Sequence, residues 1–259
     1  MIFIDHAKVK NQGETMTKSH STPTFRPLYE QIKILITQSL VAGEWRPGEV
    51  IPSELELASR FKVSQGTVRK AIDELAAENI LVRRQGKGTF VATHTEEHAQ
   101  YRFLRIVELN GKKEFPVSEV LHCERVKADS TAAERLGLKR GAPVLMVRRL
   151  LRFSGVPVIL DDIYLSAVLF KGLNDTLIDE FEGTLYSLYE SHYSTRIIRA
   201  EERVRAVTAD EATASLFGIP PNAPLLDIDR VAYTYGDQPV EWRVSRCNTQ
   251  HHCYLNDLG

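Results

Sequence analysis

The sequence predicts two consecutive α+β domains, and three observations predict them. Between residues 53 and 91, two closely spaced helix starts run into a basic, glycine-tipped hairpin. A polar stretch at residues 93–100 (THTEEHAQ) separates that block from the rest. Beyond it, a unit of helix, glycine, Ala-Pro, long strand and turn occurs twice. At 259 residues and 43% apolar content, the chain can fill two cores.

Residues 1–24 are polar and irregular, and Met16 offers an alternative start, so a disordered extension is expected there. The first domain then occupies 25–92. Leu28, Ile32, Leu35 and Ile36 recur at helical spacing and predict an amphipathic helix from 27 to about 42, with Pro27 in its first turn. Gly43, Pro47 and Gly48 stop it. Ser53 and Glu56 form a Ser-x-x-Glu capping box, which starts a second helix at Glu54 and turns Leu57 and Phe61 inward. Lys62 and Val63 make a turn. Ser64 caps a third helix, whose buried stripe is Val68, Ile72 and Leu75. Its other face opens with Gln65, Thr67, Arg69 and Lys70. Two β-prone segments then flank Gln85-Gly86-Lys87-Gly88, predicting a hairpin with a cationic tip.

Two capped helices and a hairpin are also compatible with an ordinary core. The order helix, helix, cationic helix, basic hairpin is more specific. Helix N-termini attract phosphate, first-turn side chains of such a helix reach base edges, and a glycine tip lets a wing approach a backbone or minor groove. Net charge decides nothing, being −1 overall, +2 over 25–92 and −3 elsewhere, so only the clustering counts.

The run AGEWRPGEVIPSELELASRFKVSQGTVRKAIDELAAENILVRRQGKGTFV resembles the winged helix-turn-helix of the GntR family, over residues 27–91. The resemblance implies dimers on palindromic operators. By position it puts DNA contacts on Ser64, Gln65, Thr67 and Arg69, with Gln85, Gly86 and Lys87 at the wing tip; Lys70 joins them from the cationic face. Leu55 stands where that family usually has Arg, which removes a phosphate or base contact. Gln65 replaces a frequent Arg and favours adenine N6/N7 where Arg favours guanine.

In the second domain (101–259), AERLGLKRGAPVLMVRRLLRFSG matches TASLFGIPPNAPLLDIDRVAYTYG. Gly137 faces Gly218, Pro143 faces Pro224, Arg149 faces Arg230 and Gly155 faces Gly236. Thr131 with Glu134, and Thr208 with Glu211, supply two capping boxes. Alternation with hairpin turns predicts a mainly antiparallel sheet with helices packed on it. RFLRIVELNGKKEFPV reads as strand, turn, strand. Along the first repeat strand, Leu145, Val147, Arg149 and Leu151 share a face; Leu226, Ile228, Arg230 and Ala232 do so in the second. An arginine on such a face needs a partner, either Glu241 or Asp161 in an internal ion pair, or an anionic ligand in a cavity.

From residue 101 on, the chain resembles the effector-sensing UTRA domain of HutC-type GntR regulators, which has a chorismate-lyase-like fold. The carrying stretches are LGLKRGAPV, RLLRFSGVPVILDD, RAEERVRAVTADEATASLFGIPPNAPLL and RVAYTYGDQPVEW. The resemblance implies effector contacts at Arg149, Thr184, Tyr186 and Glu241. Leu151 and Cys247 replace an arginine and a tyrosine of the sugar-phosphate-sensing pattern, and its Ser/Thr-rich phosphate loop is missing. Those departures argue against a sugar phosphate as ligand.

Three cysteines form no disulfide framework, and no run of 18 apolar residues or signal-peptide pattern occurs, so a cytoplasmic, non-membrane protein is expected. Cys247, His251, His252 and Cys253 have zinc-ligand chemistry but are crowded and lack a second pair, so neither metal nor cofactor is expected. Tyr186, Tyr189 and Tyr193 read as helix packing. The Arg/Glu run at 196–205 reads as a solvated or dimer-facing edge. The combined expectation is a homodimeric repressor released from operator DNA by a small anionic metabolite. The rivals are an enzyme of lyase-like fold fused to a DNA-binding module, and a regulator whose second domain only dimerises. No nucleophile-plus-base pair or Gly-rich phosphate loop favours the enzyme.

Overall fold

The computed structural model describes residues 26–94 and 103–256. The expected extension at 1–24 and all of the linker beyond His94 lie outside the described residues.

The first domain runs α1 (Leu28–Val41), α2 (Glu54–Phe61), α3 (Gln65–Ala77), β1 (Leu81–Arg84) and β2 (Gly88–Val91). The Ser53 capping box forms in full, its side chain accepting from Glu56 N–H while Glu56 reaches back to Ser53 N–H at 2.8 Å. Lys62 ends α2 in the left-handed conformation (φ 54°), and the Ser64 hydroxyl then accepts from Thr67 N–H to start α3. Val68, Ile72 and Leu75 are wholly buried, each contributing about 1.5–3 kcal/mol of burial. In α1 the inward stripe is Ile32, Ile36 and Leu40, at steps of four; Leu28 and Leu35, expected in it, lie 49% and 41% exposed. The helix packs chiefly on α3, so a narrow stripe suffices. The residues before α2 add to the wing: Ile51 N–H bonds Thr89 O and Val91 N–H bonds Glu49 O, fixing the hairpin against the helix pair.

The second domain contains β3 (Ile106–Glu108), β4 (Val117–Lys127), α4 (Ser130–Arg135), β5 (Pro143–Phe153), β6 (Val156–Ser166), α5 (Asp175–Glu180) and α6 (Leu185–Tyr193). It continues with β7 (Arg199–Thr208), α7 (Glu211–Phe217), β8 (Pro224–Thr234), β9 (Gln238–Cys247) and β10 (His252–Tyr254). Six antiparallel strands form one sheet in the order β4-β5-β6-β9-β8-β7. The internal repeat is visible in that order, because β4-α4-β5-β6 and β7-α7-β8-β9 are equivalent and meet at β6 and β9. The repeated helices cover one face: α4 packs Ala132 and Leu136 near Val144 and Trp242, and α7 packs Ala214 and Phe217 near Leu150 and Leu160. On the other face, α5 and α6 bury Ile178, Leu188 and Tyr189 with Leu145, Val147 and Ile163.

Three expectations for this domain are corrected. The repeated helices are capped by Asp129 and Asp210, whose carboxylates accept from Ala132 and Thr213 N–H at 2.7 Å, and not by Thr131 and Thr208. Aspartate caps better than threonine, and the neighbouring acid took the position. In the stretch read as strand, turn, strand, β3 pairs with the distant β10 and not with β4, which begins at Val117. Arg196, placed by its charge pattern on a solvated or dimer-facing edge, is 3% exposed and bonds the first domain's Asn79 and Ile80 carbonyls.

The domains share a contact. Ile198 belongs to the same buried cluster as α1–α3, with Tyr235 packed beside it. Arg196 Nη2 donates to Asn79 O at 2.8 Å and its Nη1 to Ile80 O at 3.3 Å, at the chain that leaves α3 for the wing.

Candidate DNA interface and effector cavity

An open groove lies between the start of α2, the start of α3 and the wing, lined by Glu54, Leu55, Gln65, Arg83, Gln85 and Lys87, among others. Gln65 and Arg69 are exposed one turn apart on α3. Arg69 Nε donates to Glu54 at 2.9 Å and Gln65 Nε2 to the same oxygen at 3.3 Å. Ser64 and Thr67 are tied to each other (2.8 Å) by the cap, so their hydroxyls are already oriented. Lys70 turns the other way, its ammonium 3.8 Å from the centre of the Tyr29 ring on α1. At the wing tip Gly86 has φ 70°, and Gln85 and Lys87 are exposed beside it. Of the eight sequence-predicted DNA positions, Gln65, Gln85, Gly86 and Lys87 line the groove, Arg69 reaches it through Glu54, Ser64 and Thr67 sit at the helix start, and Lys70 lies apart from them.

The second site is a cavity of about 320 Å³, the size that takes a small metabolite. The start of α6 (Thr184, Leu185, Tyr186) forms one wall, and β5, β8 and β9 supply Arg149, Arg230, Arg243 and Ser245 from the sheet. Arg105 from the lead-in to β3 and His94 from the linker close it. Gly183, φ 149°, precedes the Thr184 cap, and a Cβ there would stand 2.8 Å from Ser187 Oγ, so the chain enters α6 through a position only glycine fits.

The arginine face predicted from alternation is present, and its partner is internal. Arg149 bonds Asp161 through Nε (2.9 Å) and Nη2 (2.8 Å). Asp161 also accepts from Ser245 Oγ at 2.6 Å and lies 3.4 Å from Arg243. Burial pushes the Asp161 carboxyl up, but Arg243, Arg149 and Ser245 together outweigh it and hold the group below its usual range. Of the partners weighed for Arg149, the structure supplies Asp161, and the arginine still lines the cavity. Glu241, the other acid weighed as a partner for Arg149, is wholly buried and accepts from Tyr186 and Tyr189 hydroxyls at 2.9 Å and from Arg243 at 2.7 Å. Burial and Glu241 push the Tyr186 hydroxyl up to about 12, so it stays a donor.

Arg230 pairs with Glu202 and donates to Phe103 O at the cavity rim. Arg105 lines the cavity without a carboxylate partner among the described residues. Among the described residues, four cavity arginines thus face three carboxylates (Asp161, Glu202, Glu241), leaving one positive charge in excess. Cys247 is buried in the wall, its thiol pushed well up by burial and then by Asp161, which makes it unreactive. Sequence reasoning missed Arg243 and Ser245, although they alternate with Glu241 and Cys247 on β9 and period two could have found them. It also missed Arg105 and His94, which only tertiary structure brings to the cavity.

His94 links cavity and linker. Its ring stands 5.8 Å from Tyr186 and 5.9 Å from Phe103, and its Nε2 is 2.7 Å from Ile197 O. Its backbone N–H donates to Glu190 at 3.1 Å, and Thr93 Oγ1 donates to the same carboxylate.

A helix pair with a basic wing, followed by a sheet domain holding a metabolite-sized cavity, defines a DNA-binding regulator with its own sensor. Comparison with known proteins agrees. Residues 28–91 match the bacterial regulatory proteins of the gntR family, and residues 111–252 match the UTRA domain. The histidine utilization repressor of Klebsiella aerogenes is 32% identical over 79% of this chain and 83% of its own. The transcriptional regulator PhnF of Escherichia coli is 31% identical over 86% and 92%. The ligand-binding domain of a GntR-family regulator from Bordetella bronchiseptica superposes with TM-score 0.59 at 38% identity, covering 62% of this chain and 99% of that one. PhnF from Mycobacterium smegmatis gives TM-score 0.51 at 25% identity over 88% and 99%. The chain belongs to the GntR family, in its HutC-like branch with a UTRA effector domain. It is a transcription regulator and not an enzyme. Among the described residues no helix is long and apolar enough to cross a membrane.

Proposed function

We propose that this regulator is a homodimeric repressor that leaves a palindromic operator when a small anionic metabolite enters the UTRA cavity. The observation that carries the ligand class is the excess cation: Arg105 lines a cavity whose other three arginines already have carboxylates. The start of α6 adds the positive end of a helix dipole to the same wall. An anion there gains charge-assisted hydrogen bonds that a neutral molecule does not. Repression agrees with the names of relatives such as the histidine utilization repressor and NagR, a transcriptional repressor of Bacillus subtilis.

The contacts to DNA are assigned to Ser64, Gln65, Thr67 and Arg69 at the start of α3 and to Gln85, Gly86 and Lys87 on the wing, with Lys70 contributing from the Tyr29 side of the helix. One winged domain reads few base pairs, so two-fold pairing of the chain accounts for a usable operator. In vitro selection of duplexes with the full-length protein tests this: inverted half-sites about one helical turn apart are expected, and single, unrepeated sites bound by a monomer would defeat it. Arg69→Ala should weaken binding to the selected operator by about 1–3 kcal/mol without unfolding the protein. A thermal-shift screen of anionic metabolites tests the ligand class, since a ligand at 100 times its Kd adds about 2.7 kcal/mol.

A further inference from the structure

Glu54 is an acid in the middle of a surface built to meet a polyanion. Its side chain is only 14% exposed, while the Arg69 side chain paired with it is 56% exposed. One carboxylate oxygen accepts Arg69 Nε and Nη2, both at 2.9 Å, and also Gln65 Nε2 at 3.3 Å. The other accepts Arg83 Nη2 at 3.0 Å, from the first strand of the wing. A single side chain therefore gathers two groups of the recognition helix and one of the wing. Three basic or amide partners converge on it from α3 and β1.

A guanidinium has two edges able to make paired hydrogen bonds. Glu54 occupies the Nε–Nη2 edge of Arg69, which leaves the Nη1–Nη2 edge for a second acceptor pair. That free edge has the spacing of guanine O6 and N7. Gln65 is fixed in the same way. Its amide nitrogen must face Glu54, because an ionised carboxylate only accepts, so the amide oxygen and the second N–H stay available. Two long side chains that would otherwise lose rotamer entropy on binding are held in advance. A negative charge at this place lowers affinity for any DNA, so its compensation has to be selectivity.

We propose that Glu54 is a positioning residue for operator specificity: it touches no base, and it sets which edge of Arg69 and Gln65 meets the bases. The proposal rests on the reading of α3 as the recognition helix.

The test compares wild type, Glu54→Gln, Glu54→Asp, Arg69→Ala and the double variant Glu54→Gln/Arg69→Ala, all full length. Probes are the selected operator, its single-base-pair variants, and a random-sequence duplex of equal length. Arg69→Ala should lose discrimination at one base pair per half-site. Glu54→Gln should lose about tenfold in discrimination at that same base pair, with random-duplex affinity equal to or above wild type. Glu54→Asp keeps the charge and shortens the reach, so it should lose discrimination while random-duplex affinity stays at the wild-type value. In the double variant the Glu54 change should add nothing at that base pair. Equal loss on operator and random duplex, additive effects in the double variant, or a Glu54→Gln protein unfolded at assay temperature would each overturn the positioning role. Arg69→Ala with wild-type operator affinity would instead overturn the recognition-helix reading, and this inference with it.

Discussion

Arg196 lies against Glu190, Nε to carboxylate at 3.5 Å, at the boundary between the two domains. The same guanidinium donates to the carbonyls of Asn79 and Ile80 just past the recognition helix, and the same carboxylate holds Thr93 and His94 of the linker. Glu190 sits on α6, whose first turn lines the effector cavity. One ion pair therefore joins cavity wall, linker and DNA-reading domain. Removing one member of a buried pair costs about 3–5 kcal/mol, because the other is left charged and dry. Arg196→Ala should then separate the single melting transition into two, with the winged domain melting first, and should blunt effector-induced operator release. A single unshifted transition in calorimetry would rule the latch out.

Two of the four cavity arginines, Arg149 and Arg105, should behave differently when replaced. Arg149 is 9% exposed in its side chain and bonded to Asp161, so Arg149→Ala should lower the stability of the effector domain by about 3–5 kcal/mol. Its loss of inducibility would then say little about ligand contact. Arg105 is half-buried and has no carboxylate to strand among the described residues. Arg105→Gln should keep melting temperature and operator affinity, and weaken an anionic effector about tenfold or more, as expected for one charged hydrogen bond at 1.5–3 kcal/mol. Titration of the effector against both variants by calorimetry separates the two roles, and unchanged effector affinity in Arg105→Gln would remove the excess charge from recognition.

What the sequence showed and what it hid follow from range. The winged domain was legible almost throughout because its signals are local: the Ser53 and Ser64 caps, the Val68–Ile72–Leu75 stripe and the Gly86 tip are each set within a few residues. The duplicated sheet unit was legible because Pro143 and Pro224 start equivalent strands. Long-range pairing was not. Nothing local says that β3 joins β10, that Arg105 reaches the cavity, or that Arg196 crosses to Asn79. Alternation located Arg149 on the correct face, but it could not choose between Asp161, Glu241 and a ligand as its partner.

Asp161 gives the effector domain a definite response to acid. Its folded carboxyl lies below the ordinary 3.8, so the stability it contributes is present above that value and is lost as pH falls through the folded one. The wild-type protein should lose effector-domain stability steeply below about pH 4. Asp161→Asn should be less stable at neutral pH and show a shallower decline in that window. Urea unfolding monitored at several pH values reads both slopes; parallel curves would mean that other carboxyls carry the acid response.

The wing should contribute affinity without selectivity. Lys87 is exposed at the hairpin tip, beside Gly86 in the left-handed conformation and Gly88 at φ 109°, and its backbone N–H is engaged with Arg84 O at 2.9 Å. The backbone is therefore fixed while the ammonium is free to find a phosphate, a contact that positions the protein and reads no base. Arg84 at the base of the tip is held over the Phe90 ring, 4.6 Å from its centre, which leaves Lys87 as the outermost cation of the hairpin. Lys87→Ala should weaken operator and random duplex by the same factor. It should also lower the slope of log affinity against log salt by about one, the signature of one lost phosphate contact. Gel-shift titrations at four salt concentrations measure that slope. A variant that keeps the wild-type slope and loses preference for operator over random duplex would show instead that the wing reads bases, and would move part of the specificity from α3 to the hairpin.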